Sequence, residues 1–321
     1  MTGNRVVDTM RHEEDAMRTE TPTDLPKHAW WGALKRTFAE FVDDNLPDWA
    51  AALTYYSVLS LFPAVLVLAS LIGLVGDPDK LVENLRQFAP SQAQDTLVDV
   101  VRQLAGSTSV AGPLAIISLA SALWAASGYL GGFIRASNAI YEVEEGRPIW
   151  KTVPLRIALT ITMMVLLTAT ALGVILSGGI ADRVGRAVGL GSTGIVVWNI
   201  AKWPVLAVLI SLAIAILYWA APNVRQPGFR WVTPGSAIAV LVWAAASAGF
   251  AVYVANFASY NKVYGSLAGV VVFLVWLWIS NLAILFGAEF DAELTRGKEV
   301  AEGLPEDEEP FLPPRDTQAM D

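Results

Sequence analysis

Six stretches of this chain run for about 19 residues or more with almost no charge, each long enough to cross a hydrocarbon core of about 30 Å. They fall at 49–75, 113–134, 154–176, 203–221, 235–257 and 264–286. No water-soluble fold needs so many apolar runs of this length. A bilayer requires them, because only a helix satisfies its own backbone groups within one segment in lipid. The expected fold is all-α: a polytopic membrane protein built as a bundle of six transmembrane helices.

The charge is distributed to match. Only 16% of the 321 residues are charged, against roughly 25% in soluble domains, and they crowd into the two ends. Three parts are expected: a disordered tail over 1–27, a membrane domain over 28–296 and an acidic disordered tail over 297–321. Much of the net charge of −8 sits in that last part, where Glu299, Glu302, Glu306, Asp307, Glu308, Glu309, Asp316 and Asp321 are interrupted by Pro305, Pro310, Pro313 and Pro314. Acidic and proline-broken, it reads as solvated chain.

Lys and Arg set the orientation. Residues 1–48 hold six, 131–156 four, 222–234 two and 291–321 three, leaving a minority of the chain's 22 for the alternate loops. By the positive-inside rule both termini are cytoplasmic.

Two segments outside the spans have amphipathic character. Trp31, Leu34, Phe38 and Phe41 recur at helical spacing before the first span, opposite Lys35 and Arg36. That helix suits either the membrane interface or the protein's own cytoplasmic surface. Residues 77–109 read as two short helices broken at Pro90, too polar to span and placed on the outer side. Within the spans, Pro63 is expected to kink the first. Small residues four apart, Gly128 with Gly132, Ser127 with Gly131, Ala245 with Gly249 and Gly265 with Gly269, favour close helix packing.

Chemistry-bearing patterns are sparse. There is no cysteine, and both histidines, His12 and His28, precede the first span. A zinc hydrolase or a Ser–His protease would lack its ligands or its base. No Walker A or dinucleotide fingerprint is present, so no cofactor is expected. No basic stripe suggests nucleic acid. Lys202 falls at the outer edge of the fourth run, where it could snorkel. Polar residues gather instead near the inner leaflet: Asp43, Asp44, Asn45 and Asp48 before the first span, Arg135, Asn138, Tyr141 and Glu142 at the end of the second, Arg225 and Arg230 in the fourth connection, and Glu289 with Asp291 at the end of the sixth. Asp44, Arg135, Asn138, Arg225, Arg230 and Glu289 are the candidate cluster. One reading makes it a site for an anionic headgroup. The other pairs Arg135 with a carboxylate such as Glu289 or Asp44 to tie helix ends together. An outer set, Asn256, Tyr260, Asn261, Lys262 and Tyr264, reads as turn chemistry with interfacial aromatics.

Several segments resemble one family. Ala51-Ala52-Leu53-Thr54-Tyr55-Tyr56-Ser57 with Leu59-Ser60-Leu61-Phe62-Pro63, Trp231-Val232-Thr233-Pro234-Gly235, and Tyr264-Gly265-Ser266-Leu267-Ala268-Gly269 followed by Trp276-Leu277-Trp278 and Gly287-Ala288-Glu289-Phe290 are similar, in this order, to the YihY/BrkB family of bacterial membrane proteins. The resemblance covers roughly 28–296. It implies a six-helix protein of the bacterial inner membrane. Members have carried the label ribonuclease BN, which the residues above do not support, and have been linked to serum resistance and to envelope lipid export. Two functions follow as expectations: transport or flipping of a lipid or other amphiphile, with membrane lipids as partners and an anionic amphiphile as substrate, or a non-catalytic scaffold whose tails recruit partners. Oligomeric state is left open.

Overall fold

The computed structural model describes residues 27–75, 111–175, 192–226, 228–256, 267–305 and 308–320. Within them the chain forms α1 (Lys27–Asp43), α2 (Leu46–Val75), α3 (Ala111–Ile140), α4 (Ile149–Ile175), α5 (Ser192–Ala220), α6 (Pro234–Asn256) and α7 (Leu267–Ala301). No strand occurs among the described residues; one isolated bridge joins Val224 to Pro314. Helices α4 to α7 contain segments long and apolar enough to cross a membrane. Helices α2 and α3 each run 30 residues and cover the first two expected spans. The expected helices at 77–109, most of the outer polar set, and the tail over 1–26 lie outside the described residues, as does the side chain of Pro63.

Local chemistry starts and ends these helices. Pro234 opens α6, a position where its missing N–H costs nothing. The flanking residues cap each other: Ser236 N–H donates to Thr233 Oγ1 at 3.0 Å and Thr233 N–H to Ser236 Oγ at 2.9 Å, a reciprocal capping arrangement. Asn45 and Glu142 take positive φ values of 54° and 51°. They end α1 and α3 in the left-handed conformation that turns a chain sharply after a helix. Inside the helices Thr54, Ser57, Thr160 and Thr170 each donate to a carbonyl four residues back. A hydroxyl satisfied in this way can sit in an apolar helix without another partner.

Helix–helix contact is mediated by small residues and short polar links, as expected where lipid removes most of the hydrophobic drive for association. Helices α6 and α7 touch backbone to backbone. A Cβ on Gly287 would lie 2.5 Å from Gly235 O and 2.6 Å from the Tyr218 hydroxyl. Trp243 Nε1 donates to Ser280 at 3.0 Å and Trp276 Nε1 to Ser247 at 3.2 Å, tying the same pair. Asn281 of α7 bridges two other helices: its amide donates to Thr54 Oγ1 of α2 at 3.1 Å and its oxygen accepts from Tyr129 of α3 at 3.0 Å.

The small-residue pairs of α3 turn out to be slots. The Tyr56 ring lies over Gly128 and Gly132, and the Arg156 guanidinium lies over Gly131, 2.9 Å from where a Cβ would be. Gly249 and Gly269 face open space, so the other two pairs, as far as they are described, make no such contact.

Two expectations need correction. Lys202 is not at the edge of its helix: α5 begins at Ser192, and Lys202 is buried with its ammonium on Asn199 Oδ1 at 3.1 Å. Helix α7 runs on past the expected span end at residue 286, through its charged end to Ala301. The C-terminal segment is not loose chain over 308–320. Phe311 and Leu312 are buried in the main core. Arg225 N–H donates to Pro313 O at 2.9 Å, Arg315 N–H to Asn223 O at 2.8 Å and Ala319 N–H to Gly146 O at 2.8 Å. Lys151 pairs with Asp316. Two apolar side chains and these bonds outweigh the solvating effect of the acidic residues.

Replacing Gly287 by Val is expected to destabilise the purified protein by roughly 1–3 kcal/mol through overpacking, seen as a lower melting temperature, while Gly249→Ala leaves melting unchanged.

Candidate functional site at the charged helix ends

The six candidate residues do not form one cluster. They divide among three assemblies at the same end of the bundle.

The first is a carboxylate-rich joint between α1, α2 and α7. Arg36 of α1 pairs with Glu293 of α7 and donates to the Glu293 backbone carbonyl at 3.1 Å. Arg296, also on α7, is surrounded by acids: Glu40 at 3.7 Å, Glu142 at 3.8 Å, Glu293 at 3.7 Å and Glu309 at 3.8 Å. Its guanidinium also lies 5.8 Å from the Phe311 ring centre. Glu289 is only 1% exposed, and its Oε2 has no hydrogen-bond partner among the described residues. Asp44, in the α1–α2 turn, is its neighbour. Burial pushes the Asp44 carboxyl up to about 6, with Glu40, Asp43 and Glu293 adding negative charge around it. Burial likewise lifts Glu142 to about 7, aided by Glu309 and opposed by Arg296. Deeper at the α6–α7 crossing, Gly235 N–H donates to Asp291 Oδ1 at 2.6 Å, and Arg230 contributes its positive field there.

The second assembly is a paired polar network joining the ends of α3 and α5 to the C-terminal segment. Asn138 accepts from Asn223 N–H at 2.8 Å and donates to Glu145 at 3.0 Å. Glu145 holds Arg147 through two bonds of 2.7 Å, and Arg147 caps α5 at the Ala221 carbonyl, 2.8 Å away. Asn223 binds the backbone of Asp316 on both sides, donating at 2.8 Å and accepting at 3.1 Å. Arg225 lies beside this network, exposed, and is held through its backbone.

The third contains Arg135. Its guanidinium donates to the Tyr56 hydroxyl at 3.2 Å and lies 5.9 Å from that ring's centre. Neither Glu289 nor Asp44 is its partner, so the expected helix-end ion pair does not form. The neighbour it has instead is a second cation. Arg156 of α4 donates from Nε to Ser127 O at 3.1 Å and from Nη2 to Ser127 Oγ at 3.3 Å, and it feels the charge of Arg135 and the Tyr56 hydroxyl. No carboxylate pairs with either arginine among the described residues.

Sequence reasoning missed Arg156, Tyr56, Arg36, Arg296 and Glu293. Arg156 was counted with the inner loop, although it lies seven residues past Ile149, well inside α4. A lone cation that far into an apolar run was the available signal. Ser127 and Gly131 were singled out for packing, without the arginine that packs there.

These features stand beside clear relatives. The family model described as "Virulence factor BrkB" matches residues 37–310. The chain belongs to the BrkB family. A Bacillus subtilis protein described as "Putative ribonuclease-like protein YfkH" is 29% identical over 273 residues, covering 85% of this chain and 98% of its own. A UPF0761 membrane protein of Alteromonas mediterranea is 29% identical over 267 residues, 81% of this chain and 88% of that protein. Another, from Alkalilimnicola ehrlichii, is 34% identical over 260 residues, which is 76% of this chain and 54% of that longer protein. No solved structure matches. The resemblance in the sequence is therefore borne out, and this BrkB protein is a membrane protein with several apolar helices.

The acidic joint has a consequence for stability. A folded-state pKa above the ordinary value means that the native protein holds a proton the unfolded chain releases, so stability falls as pH rises across the interval. For Asp44 the interval runs from 3.8 to about 6 and for Glu142 from 4.5 to about 7. The melting temperature is expected to fall between about pH 4 and about pH 7, and Asp44→Asn to flatten the acidic part of that decline.

Proposed function

We propose that this protein moves a lipid or another amphiphile within the cell envelope, as a six-span protein of the bacterial inner membrane with both termini in the cytoplasm. The observation that carries this reading is a groove of about 520 Å³ between α2 and α7, lined by Ala51, Thr54, Tyr55, Val58, Leu274, Val275 and Trp278. Its lining is almost wholly apolar, and it opens on the face that lipid would cover. An acyl chain needs such a surface and nothing charged within it. Trp31, Trp150 and Trp231 are 60%, 68% and 72% exposed at the charged end, the level at which tryptophan anchors a protein in an interface.

Two other readings are less well supported. Nuclease chemistry, which the name of YfkH suggests for that relative, would need a base and an open basic groove. Here Arg36, Arg147 and Arg296 are each held by carboxylates. A scaffold would need free tails, and the C-terminal one is held down by Phe311 and Leu312. Deleting 297–321 therefore does not separate scaffold from transporter, because either would lose core packing.

Purified protein in liposomes is expected to move a fluorescent anionic lipid between leaflets, and Ala51→Trp, which fills the groove, to slow it severalfold with folding intact. No movement by folded, inserted wild type sinks the transport reading and leaves the scaffold.

A further inference from the structure

Two arginines side by side in an apolar helix bundle pose a problem of charge. Arg135 lies five residues before the end of α3 and Arg156 seven residues after the start of α4, which places their Cα atoms about 8 Å and about 10 Å inside the helix ends at 1.5 Å per residue. That is deeper than Trp150, which is 68% exposed in the first turn of α4. Long guanidinium side chains reach back from there to the level of lipid phosphates. Arg135 is exposed and Arg156 half-buried, and wherever lipid replaces water around them like charges repel more strongly. Four other cations at this end of the protein are answered by acids: Arg36 by Glu293, Arg147 by Glu145, Lys151 by Asp316 and Arg296 by Glu40, Glu142, Glu293 and Glu309, whereas Lys35 lies over the Trp31 ring and Arg315 bonds the Trp219 carbonyl. Arg135 and Arg156 are answered only by neutral oxygens, from Tyr56 and Ser127.

The arrangement is built rather than incidental. Gly131 clears the space in which the Arg156 guanidinium rests, and Gly128 and Gly132 clear the space for the Tyr56 ring. Ser127 fixes Arg156 through its carbonyl and its hydroxyl, while Tyr56 accepts from Arg135 and keeps its own proton for another acceptor. Two guanidiniums held in this way present several N–H donors and one O–H to the same volume. Guanidinium forks match the tetrahedral oxygens of phosphate, and they bind it more strongly than neutral donors do.

We infer that Arg135, Arg156 and Tyr56 form a binding site for a phosphate group, supplied by an anionic lipid headgroup in the inner leaflet. The inference rests on the transport reading only for its biological purpose; the site itself follows from the side chains. It also replaces the sequence expectation that Arg225 or Arg230 would partner Arg135. Arg225 is tied to the C-terminal strap and Arg230 acts on Asp291.

The test is native mass spectrometry of the full-length protein with phosphatidylglycerol or phosphatidylcholine added, in the absence and presence of inorganic phosphate. Wild type is expected to retain one phosphatidylglycerol in preference to phosphatidylcholine. The R135Q/R156Q variant is expected to lose that preference, with affinity down roughly tenfold or more, while R135K/R156K keeps part of it. Arg135→Gln and Tyr56→Phe leave the bonds of Arg156 to Ser127 in place and are expected to weaken binding in the same direction, so the test stands if the double variant does not fold. Displacement of the lipid by millimolar inorganic phosphate would keep the site and reassign it to the free anion. Undiminished phosphatidylglycerol binding by a folded R135Q/R156Q protein overturns the inference. Loss of binding in the variants alongside absent lipid movement by wild type would uphold the site and remove only the transport reading.

Discussion

The structure depends on one constraint: in hydrocarbon there is no water to answer a polar group, so the protein must answer it. The consequence is visible in how the charges are held. Arg296 joins α1, the turn after α3, α7 and the C-terminal segment through Glu40, Glu142, Glu293 and Glu309. It is 9% exposed, so these charges are screened far less than a surface pair would be. Around it the bundle is closed at one end by bonds that each connect different elements, from Asn138 to Asn223 and from Asn223 to Asp316. Farther in, the contacts change character. Glycine against backbone at Gly235 and Gly287, and single bonds from Asn281, Trp243 and Trp276, take over from ion pairs.

Most of the architecture was legible because the same constraint writes itself into the sequence. A helix that crosses lipid must be apolar for its whole length, and such runs are visible without any tertiary information. The small-residue spacing on α3 was legible as well, though only as packing: sequence shows that room exists and not which side chain enters it. The long-range pairings were hidden. Arg36 and Glu293 are 257 residues apart, and no local pattern links them. The C-terminal segment was misread because its composition is acidic and proline-rich. The apolar pair Phe311-Leu312 among those prolines was the one local sign that it had something to bury.

The Arg135–Arg156 pair is held differently from these ion pairs. The fold answers Arg36, Arg147, Lys151 and Arg296 with carboxylates, and through three glycines and a serine it holds Arg135 and Arg156 without one. A cost of this kind is maintained when something else supplies the missing charge. The counter-charge we infer for them is a lipid phosphate. The groove on the far side of α2 offers the complementary apolar surface. Tyr55 lines that groove and Tyr56 completes the cationic site, and their rings are 5.7 Å apart. In the transport we propose, α2 would carry the acyl-chain surface and the phosphate site on neighbouring side chains.

All of this requires that the charged end lie at the inner leaflet. The chain has no cysteine, so single cysteines can be placed and labelled without background. The decisive measurement is labelling of Glu302→Cys and Gly228→Cys, at the charged end, and of Asp79→Cys, in the connection between α2 and α3, with a membrane-impermeant maleimide. The account predicts that Asp79→Cys labels in intact cells and that the other two label only after the membrane is opened. Labelling of Glu302→Cys and Gly228→Cys in intact cells would contradict it, because the arginine pair would then face the outer leaflet.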